Sequence, residues 1–392
     1  SLEVADIAQV SAFGFPKADA EAPLAELGFG TVDASKPVVL VIGHNVPSAI
    51  GVVDYLNAHK LYGEVEVAGI CCTAHDMARY DPKAKIVGPM SYQLRFIRSG
   101  VSDVIVLDEQ CIRTDTLVEA QKTGTPVIVT SEKNLAGLKN RTGDAADEVV
   151  EELVYGKVPG VLILDPDLVG EVAVKTAMKV APRRAKLKVI PSVEEVKAGA
   201  AKCTKCYECL RACPNGLPVM EALAEAERGN LERLADLYES CVGCGRCDNA
   251  CPVNLPLHSF IVKAAEKKLR EEKYKIRVGR GAIQDVEIRD VGSPIVLGEI
   301  PGVVAFVGCS NFPAGGREVA EMAEEFAKRR YIVTTSGCSA MAMGMYKNGE
   351  GKTLYEAYPG AFKAGGIVNV GSCVANAHIA GAAIKIANIF AK

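Results

Sequence analysis

The chain has 392 residues, 49% of them hydrophobic, and a formal net charge of −3. That is enough apolar material for two or three cores, while so small a charge, with both signs interspersed, argues against nucleic acid or a membrane surface as partner. No apolar run approaches the roughly 20 residues of a membrane-spanning helix, and no signal peptide is visible.

Apolar runs alternate with helical patterns from residue 37 onward. "PVVLVIGHN" (37–45) reads as a strand entering a loop, "SAIGVVDYLNAHKLYG" as a helix closed by Gly63, and "EVEVAGICC" as the next strand. "MSYQLRFIRSG" reads as a helix ending at Gly100, "DVIVLDEQC" as a third strand, and "TLVEAQKTG" followed by "TPVIVTSE" repeats the unit. Near-continuous Val/Ile runs separated by helices predict parallel, doubly wound sheets, an α/β fold. Residues 198–270 break the pattern with eight cysteines and two amphipathic stretches, "PVMEALAEAERGNLERLADLYES" and "LHSFIVKAAEKKLREEKY". The α/β pattern returns with "GVVAFVGCS", a helix at about 316–329, "RYIVTTSGC", "GGIVNVGSC" and a final helix "AHIAGAAIKIANIFAK".

Fourteen cysteines dominate the composition. In a long chain rich in Lys and Glu they read as reduced thiolates for soft metals in a cytoplasm, not as a disulfide framework. Cys203, Cys206, Cys209 and Cys213 form C-x2-C-x2-C-x3-C followed by Pro214, and Cys241, Cys244, Cys247 and Cys251, followed by Pro252, repeat it 38 residues on. In this spacing three thiolates from one tight loop hold three corners of a [4Fe–4S] cubane, and the fourth crosses to the other cluster. The expected sets are Cys203, Cys206, Cys209 with Cys251, and Cys241, Cys244, Cys247 with Cys213. Zinc sites are the competing reading, but they are normally closed by paired C-x2-C units and leave the Cys-Pro unexplained. The physical role of two close cubanes is electron transfer.

The other six cysteines are scattered. Cys72, Cys111, Cys309, Cys338 and Cys373 each follow a predicted strand, and so does His44. Ligands gather outside the carboxyl ends of strands in open α/β sheets, so residues far apart in sequence can converge there. Any one of these thiols alone also reads as a small buried hydrophobe.

Taken together, "GHN", "GICCT", "DEQC", "GCSN", "SGCSA" and "GSCVAN" resemble the motifs of nickel-containing carbon monoxide dehydrogenases, and the helical dicluster insert resembles the archaeal type. The resemblance implies a [Ni–4Fe–4S] cluster with His44 and Cys72 on a pendant iron, Cys111, Cys309 and Cys338 on the cubane irons, and Cys373 on nickel. It implies reversible oxidation of CO with water to CO2, two protons and two electrons, with the pendant iron activating water as a Lewis acid. Electrons would leave through the cubanes to a ferredoxin-type acceptor. It further implies a cytoplasmic homodimer with a small accessory subunit, working within an acetyl-CoA decarbonylase/synthase complex. The family also carries N-terminal [4Fe–4S] clusters, an acid–base histidine and a lysine whose positions have no match here, so Ser1–Lys392 reads as the central portion of a longer subunit. The expected architecture is two Rossmann-like domains, 1–197 and 271–392, with an α-helical ferredoxin-like dicluster module, 198–270, between them. A nickel-free hybrid-cluster reductase and a purely electron-transferring subunit are the competing readings.

Cys71 is left over. Adjacent Cα atoms lie about 3.8 Å apart, below the roughly 4.4–6.8 Å of disulfides, which argues against a Cys71–Cys72 bridge. Alternation along a strand expects one site to capture only one of the pair, with Cys71 packing behind it. His75 and His378 lie near the ligand motifs, as proton relays or as structural groups; His59 and His258 read as structural.

Overall fold

The structure, a computed structural model, describes residues 24–134, 137–184, 190–277, 294–295, 297–309, 315–359 and 366–390. Among them no helix is long and apolar enough to cross a membrane.

The first sheet has eight strands: β1 Leu24–Leu27, β2 Val38–Ile42, β3 Glu66–Ile70, β4 Lys85–Gly88, β5 Val104–Leu107, β6 Val127–Val129, β7 Gly160–Leu162 and β8 Tyr274–Arg277. Their spatial order is β7-β6-β5-β2-β3-β4-β1-β8. All pairings are parallel except β1 with β8, so the sheet is mixed. Strands β2, β3 and β5 are buried along their whole length, as the unbroken Val/Ile runs require when both faces are covered. The order reverses at β2: successive strands build outward through β3 and β4 on one side and through β5 to β7 on the other. This makes the carboxyl ends of β2, β3 and β5 a topological switch point.

The second sheet is parallel, in the order β11-β10-β9, with β9 Val303–Phe306, β10 Ile332–Ser336 and β11 Gly366–Gly371. The boundary expected at residue 271 differs from the pairing: Tyr274–Arg277 closes the first sheet as its edge. There only Ile276 is buried and Tyr274, Lys275 and Arg277 stay partly exposed, a composition suited to an edge. The two sheets also share a core. Leu27, Ala74, Ile86 and Ile276 from the first side pack with Val333, Ala340, Met341 and Ile367 from the second.

Four helices position the thiol-bearing ends and their surroundings: α1 Val46–Ala58, α2 Cys72–Tyr80, α3 Gln93–Arg98 and α4 Pro166–Arg184. Helix α1 ends before the expected Gly63, its last turn giving way to Lys60 in a left-handed conformation. The eight-cysteine region is helical: α5 Glu208–Ala212, α6 Val219–Ala226, α7 Glu232–Leu237, α8 Arg246–Ala250 and α9 Leu257–Ala264. The stretch expected as one amphipathic helix is two, α6 and α7, separated at Gly229, whose φ of +91° no helix accommodates. These helices have their own core around Val219, Leu223, Leu234, Phe260 and Ile261. Beyond β9 come α10 Gly315–Lys328, α11 Gly337–Met345 and α12 Asn376–Phe390.

Helix α1 starts two residues after His44, capped by the Asn45 side chain, which accepts from Ser48 N at 3.4 Å. Its direction is set by a close crossing with α4. A Cβ on Gly170 would fall 2.2 Å from Gly51 O, and one on Gly51 would fall 2.2 Å from Pro166 O. Because both obstacles are backbone, the helices would have to separate. Gly170→Ala is therefore expected to destabilise the chain by about 1–3 kcal/mol, read as a lowered urea midpoint; an unchanged midpoint would contradict the crossing.

Candidate metal centre

Strand β3 ends at Ile70, before either cysteine of the Cys71–Cys72 pair. Cys71 takes φ 70° and ψ −153° as the residue preceding α2, and Cys72 is the first residue of that helix. Positive φ is uncommon outside glycine, and here it turns the chain so that both thiols face one side. The expectation that only one of the pair reaches the site is corrected for this reason: alternation governs strands, and these residues form a strand-to-helix turn. The Cys71 and Cys72 sulfurs and a His44 ring nitrogen all lie within 4.8 Å of one another.

The other thiols join them. Cys71 Sγ is 3.9 Å from Cys338 Sγ at the start of α11, and Cys373 N donates to Cys72 Sγ at 3.0 Å. The Cys111 thiol meets Cys71, Cys309 and the His44 ring. Thus His44, Cys72, Cys111, Cys309, Cys338 and Cys373, all expected from sequence, come together from the carboxyl ends of both sheets, with Cys71 as a seventh member. Cys71, Cys72 and Cys338 are buried, Cys111 and Cys373 half-buried, and Cys309 exposed. The His378 side chain lies outside the described residues.

Two buried carboxylates order the loops that carry these groups. Asp108, just beyond β5, accepts from the backbone N–H groups of His44 and Gln110, so it ties the His44 loop to the Cys111 loop. Asp76 pairs with Arg79 one turn along α2, with both side chains at most 2% exposed. Arg79 packs on the turn before Cys373, where a Cβ on Gly371 would lie 2.9 Å from its Nη1. His75, fully buried, has both ring nitrogens engaged: Nε2–H donates to Gly337 O at 3.0 Å, and Asn369 Nδ2 donates to Nδ1 at 3.3 Å. Burial holds its pKa down, so it is a neutral structural link between α2 and α11. The spacing of Asp76 and Arg79, i and i+3 on a helix, was visible in the sequence; their burial was not.

The protonation pattern reflects crowding. Burial opposes charge on His44, but the Cys111 and Cys72 thiols outweigh it and lift its pKa to about 11. Hydrogen bonds from Cys373 and Cys71 hold Cys72 well below an ordinary thiol, and Cys71 and His44 bring Cys111 down to about 5. Cys71 is raised by its hydrogen bonds to Cys111, Cys338 and Cys72, Cys373 is raised by Cys72 and by burial, and Cys309 is raised to about 11 by burial. Six thiols this close cannot all ionise unless cations lie among them. Two further observations fit a bulky group there. His44 Nδ1 is buried without a hydrogen-bond partner. At Gly337, with φ +59°, a Cβ would lie 2.3 Å from Cys373 Sγ and 3.5 Å from Cys72 Sγ, so only glycine leaves the space clear.

In the helical region Cys203, Cys206, Cys209 and Cys251 line one cavity, and Cys213, Cys241, Cys244 and Cys247 line another. Each cavity takes three thiols from one loop and one from the other. His258 lines the second cavity; its backbone N–H donates to Asp248 at 2.8 Å, while its buried Nε2 has no hydrogen-bond partner.

The chain belongs to the Prismane/CO dehydrogenase family, whose sequence model matches residues 1–392. It is 59% identical over 392 residues to the acetyl-CoA decarbonylase/synthase complex subunit alpha of Methanothermobacter thermautotrophicus, a match covering all of this chain and 50% of that one. It is 54% identical over 390 residues to the subunit of the same name from Methanocaldococcus jannaschii, again covering half of the relative. The chain thus spans about half the length of the curated relatives it matches. Among solved structures, a carbon monoxide dehydrogenase from Thermococcus sp. AM4 matches 97% of this chain and 47% of its own, with a TM-score of 0.56 at 19% identity. An alpha subunit of acetyl-CoA synthase/carbon monoxide dehydrogenase matches 99% and 48%, with a TM-score of 0.55 at 17% identity. At such identities the likeness concerns the fold.

Removing one member of a buried ion pair leaves the other charge uncompensated, at a cost of about 3–5 kcal/mol. Asp76→Ala is expected to lose that much stability in denaturant titration; a loss within error would show that the pair does not hold the Cys373 turn.

Proposed function

We propose that the chain carries the nickel–iron–sulfur centre of a carbon monoxide dehydrogenase and catalyses reversible oxidation of CO with water to CO2, two protons and two electrons. The observation that supports this best is the convergence of one imidazole and six thiols from the strand ends of two separate sheets. Soft thiolates with one imidazole suit iron and nickel. In this reading His44 and Cys72 hold a pendant iron, Cys111, Cys309 and Cys338 hold three cubane irons, and Cys373 holds nickel. When bound, the cluster supplies a site for CO, a Lewis acid for water and a store for two electrons.

The chain's own residues then have definite tasks. Asp108 orients the His44 and Cys111 loops through their backbone N–H groups. His75 and the Asp76–Arg79 pair hold the Cys338 and Cys373 segments against α2, so that ligands from the two sheets stay in register. The Met90 N–H, 3.3 Å from Cys338 Sγ, is a charge-stabilising donor to that sulfur. Cys203, Cys206, Cys209 and Cys251, and Cys213, Cys241, Cys244 and Cys247, hold two [4Fe–4S] clusters that pass electrons to a ferredoxin-type acceptor. The relatives' names support work inside a multi-subunit acetyl-CoA decarbonylase/synthase complex, with the homodimer and small accessory subunit as further expected partners.

Cys373→Ala in the intact subunit, prepared without oxygen, tests the reading. It is expected to abolish nickel binding and CO-dependent dye reduction while both [4Fe–4S] clusters of the helical region persist by electron paramagnetic resonance. Undiminished CO oxidation in the variant would overturn the assignment. Iron without nickel in the wild type would favour the nickel-free hybrid-cluster reading, and clusters confined to the helical region would favour an electron-transfer subunit.

A further inference from the structure

The eight-cysteine region is a sequence repeat, but its two loops sit in different surroundings. In the first, Thr204, Lys205 and Tyr207 face solvent, and its arginine, Arg211, is exposed, tied to Glu208 and donating to Cys206 O at 2.9 Å. In the second, Gly243 and Gly245 are buried against helix α3. A Cβ on Gly243 would lie 2.8 Å from Arg95 N, and one on Gly245 would collide with the Arg98 guanidinium. Both glycines have φ +68°, so neither position suits another residue.

Two arginines of α3 enter this contact, and they differ in one respect. Arg98 is neutralised by Glu119 at 2.8 Å and Asp248 at 3.0 Å. Arg95 is not. It is 4% exposed, its guanidinium lies between the rings of Tyr92 at 4.1 Å and Tyr238 at 3.8 Å, and its Nη2 donates to Tyr238 O at 2.8 Å. Its Nε has no hydrogen-bond partner, and among the described residues no carboxylate lies within 4.0 Å of it. Glu272 acts on it from further away, and burial raises that carboxyl's pKa while Arg95 lowers it. A guanidinium stays charged, and a buried cation without a counter-ion is costly. The facing aromatic rings offset only part of that cost.

The cavity lined by Cys213, Cys241, Cys244 and Cys247 adjoins the same loop that packs on Arg95. A [4Fe–4S] cluster with four thiolates is net negative, and gains one more negative charge on reduction. We propose that Arg95 is the buried counter-cation of the cluster held by Cys213, Cys241, Cys244 and Cys247, and that it raises this cluster's reduction potential relative to the repeat-related one. A fixed, buried positive charge stabilises the more negative, reduced state, whereas the arginine at the sister loop, Arg211, is exposed to water and paired with Glu208. The segment leading into α3 touches the thiol centre, through Met90 N on Cys338 Sγ and the Gln93 amide on Cys111 O. Arg95 is five residues beyond Met90, roughly 9 Å along the helical axis. Of the two cluster cavities, the Arg95-flanked one adjoins this segment: Met90 and Ser91 share a cavity with Pro214 and Cys244.

This inference rests on the reading that the eight thiols hold two clusters, and the test separates the two. Redox titration followed by electron paramagnetic resonance is made on the intact wild-type subunit and on Arg95→Met, Arg95→Gln and Arg95→Lys. In Arg95→Met one midpoint alone is expected to fall, by about a tenfold change in the oxidised-to-reduced ratio, or about 59 mV for one electron. Arg95→Lys should restore most of the shift. Should Arg95→Met fail to fold, Arg95→Gln must move the same midpoint in the same direction. Unchanged midpoints with full iron content overturn the proposal, as does an equal shift in Arg95→Lys, which would mark a packing effect. A wild type without two [4Fe–4S] signals from this region overturns the underlying reading instead, and the proposal with it.

Discussion

Helix α2 is the constraint on which the rest of the arrangement depends. Seven of its nine residues are buried, among them Cys72, His75 and Asp76, whose side chains each engage another group. Its first residue supplies Cys72, its first turn contributes His75 to the Gly337 carbonyl, and its second turn presents Arg79 to the turn before Cys373. Since α11 and the Cys373 turn belong to the second sheet, while α2 grows out of the first, this one helix ties the two sets of strand ends together. A helix that buries an ion pair and a neutral histidine sacrifices stability that an apolar helix would keep. The compensation is geometric: the His75 and Arg79 contacts of α2 fix backbone segments that bear a thiol.

The thiols supply the opposite force. Crowded together, they repel one another as they ionise, which is why Cys72 and Cys111 are favoured as thiolates only at the expense of Cys71 and Cys373. A site of this kind favours ordered cations, and binding a cluster there would draw on the same free energy that holds the two sheets in register. The helical region repeats the theme at smaller scale. Its two cavities are built by exchange of one cysteine between loops, so neither site is complete without the other. The repeat is nevertheless asymmetric, because α3 covers only one loop.

Much of this was legible in the sequence. The unbroken Val/Ile runs set the parallel strands, and the position of His44, Cys72, Cys111, Cys309, Cys338 and Cys373 just after those runs signalled convergence, because strand ends share one side of a sheet. The repeated cysteine spacing carried its crossed pairing in the pattern itself. What was not legible depended on tertiary context. Cys71 escapes the period of two because that period ends with β3 at Ile70, and a positive φ at Cys71 redirects the chain. The edge strand Tyr274–Arg277 joins the first sheet through pairing with Leu24–Leu27, a contact between segments far apart in sequence that local pattern cannot reveal. The isolation of Arg95 was likewise invisible, since the same "LRFIR" reads as an ordinary helix face until the helical region is placed on it.

The central claim is that residues from both sheets share one nickel-containing cluster. Crystals of the intact subunit, grown without oxygen and measured on either side of the nickel absorption edge, test it most directly. The account predicts a nickel anomalous peak within bonding distance of Cys373 Sγ, with iron peaks beside Cys111, Cys309, Cys338 and the His44–Cys72 pair. Iron alone at this centre, or nickel bound elsewhere with these thiols unligated, would contradict it.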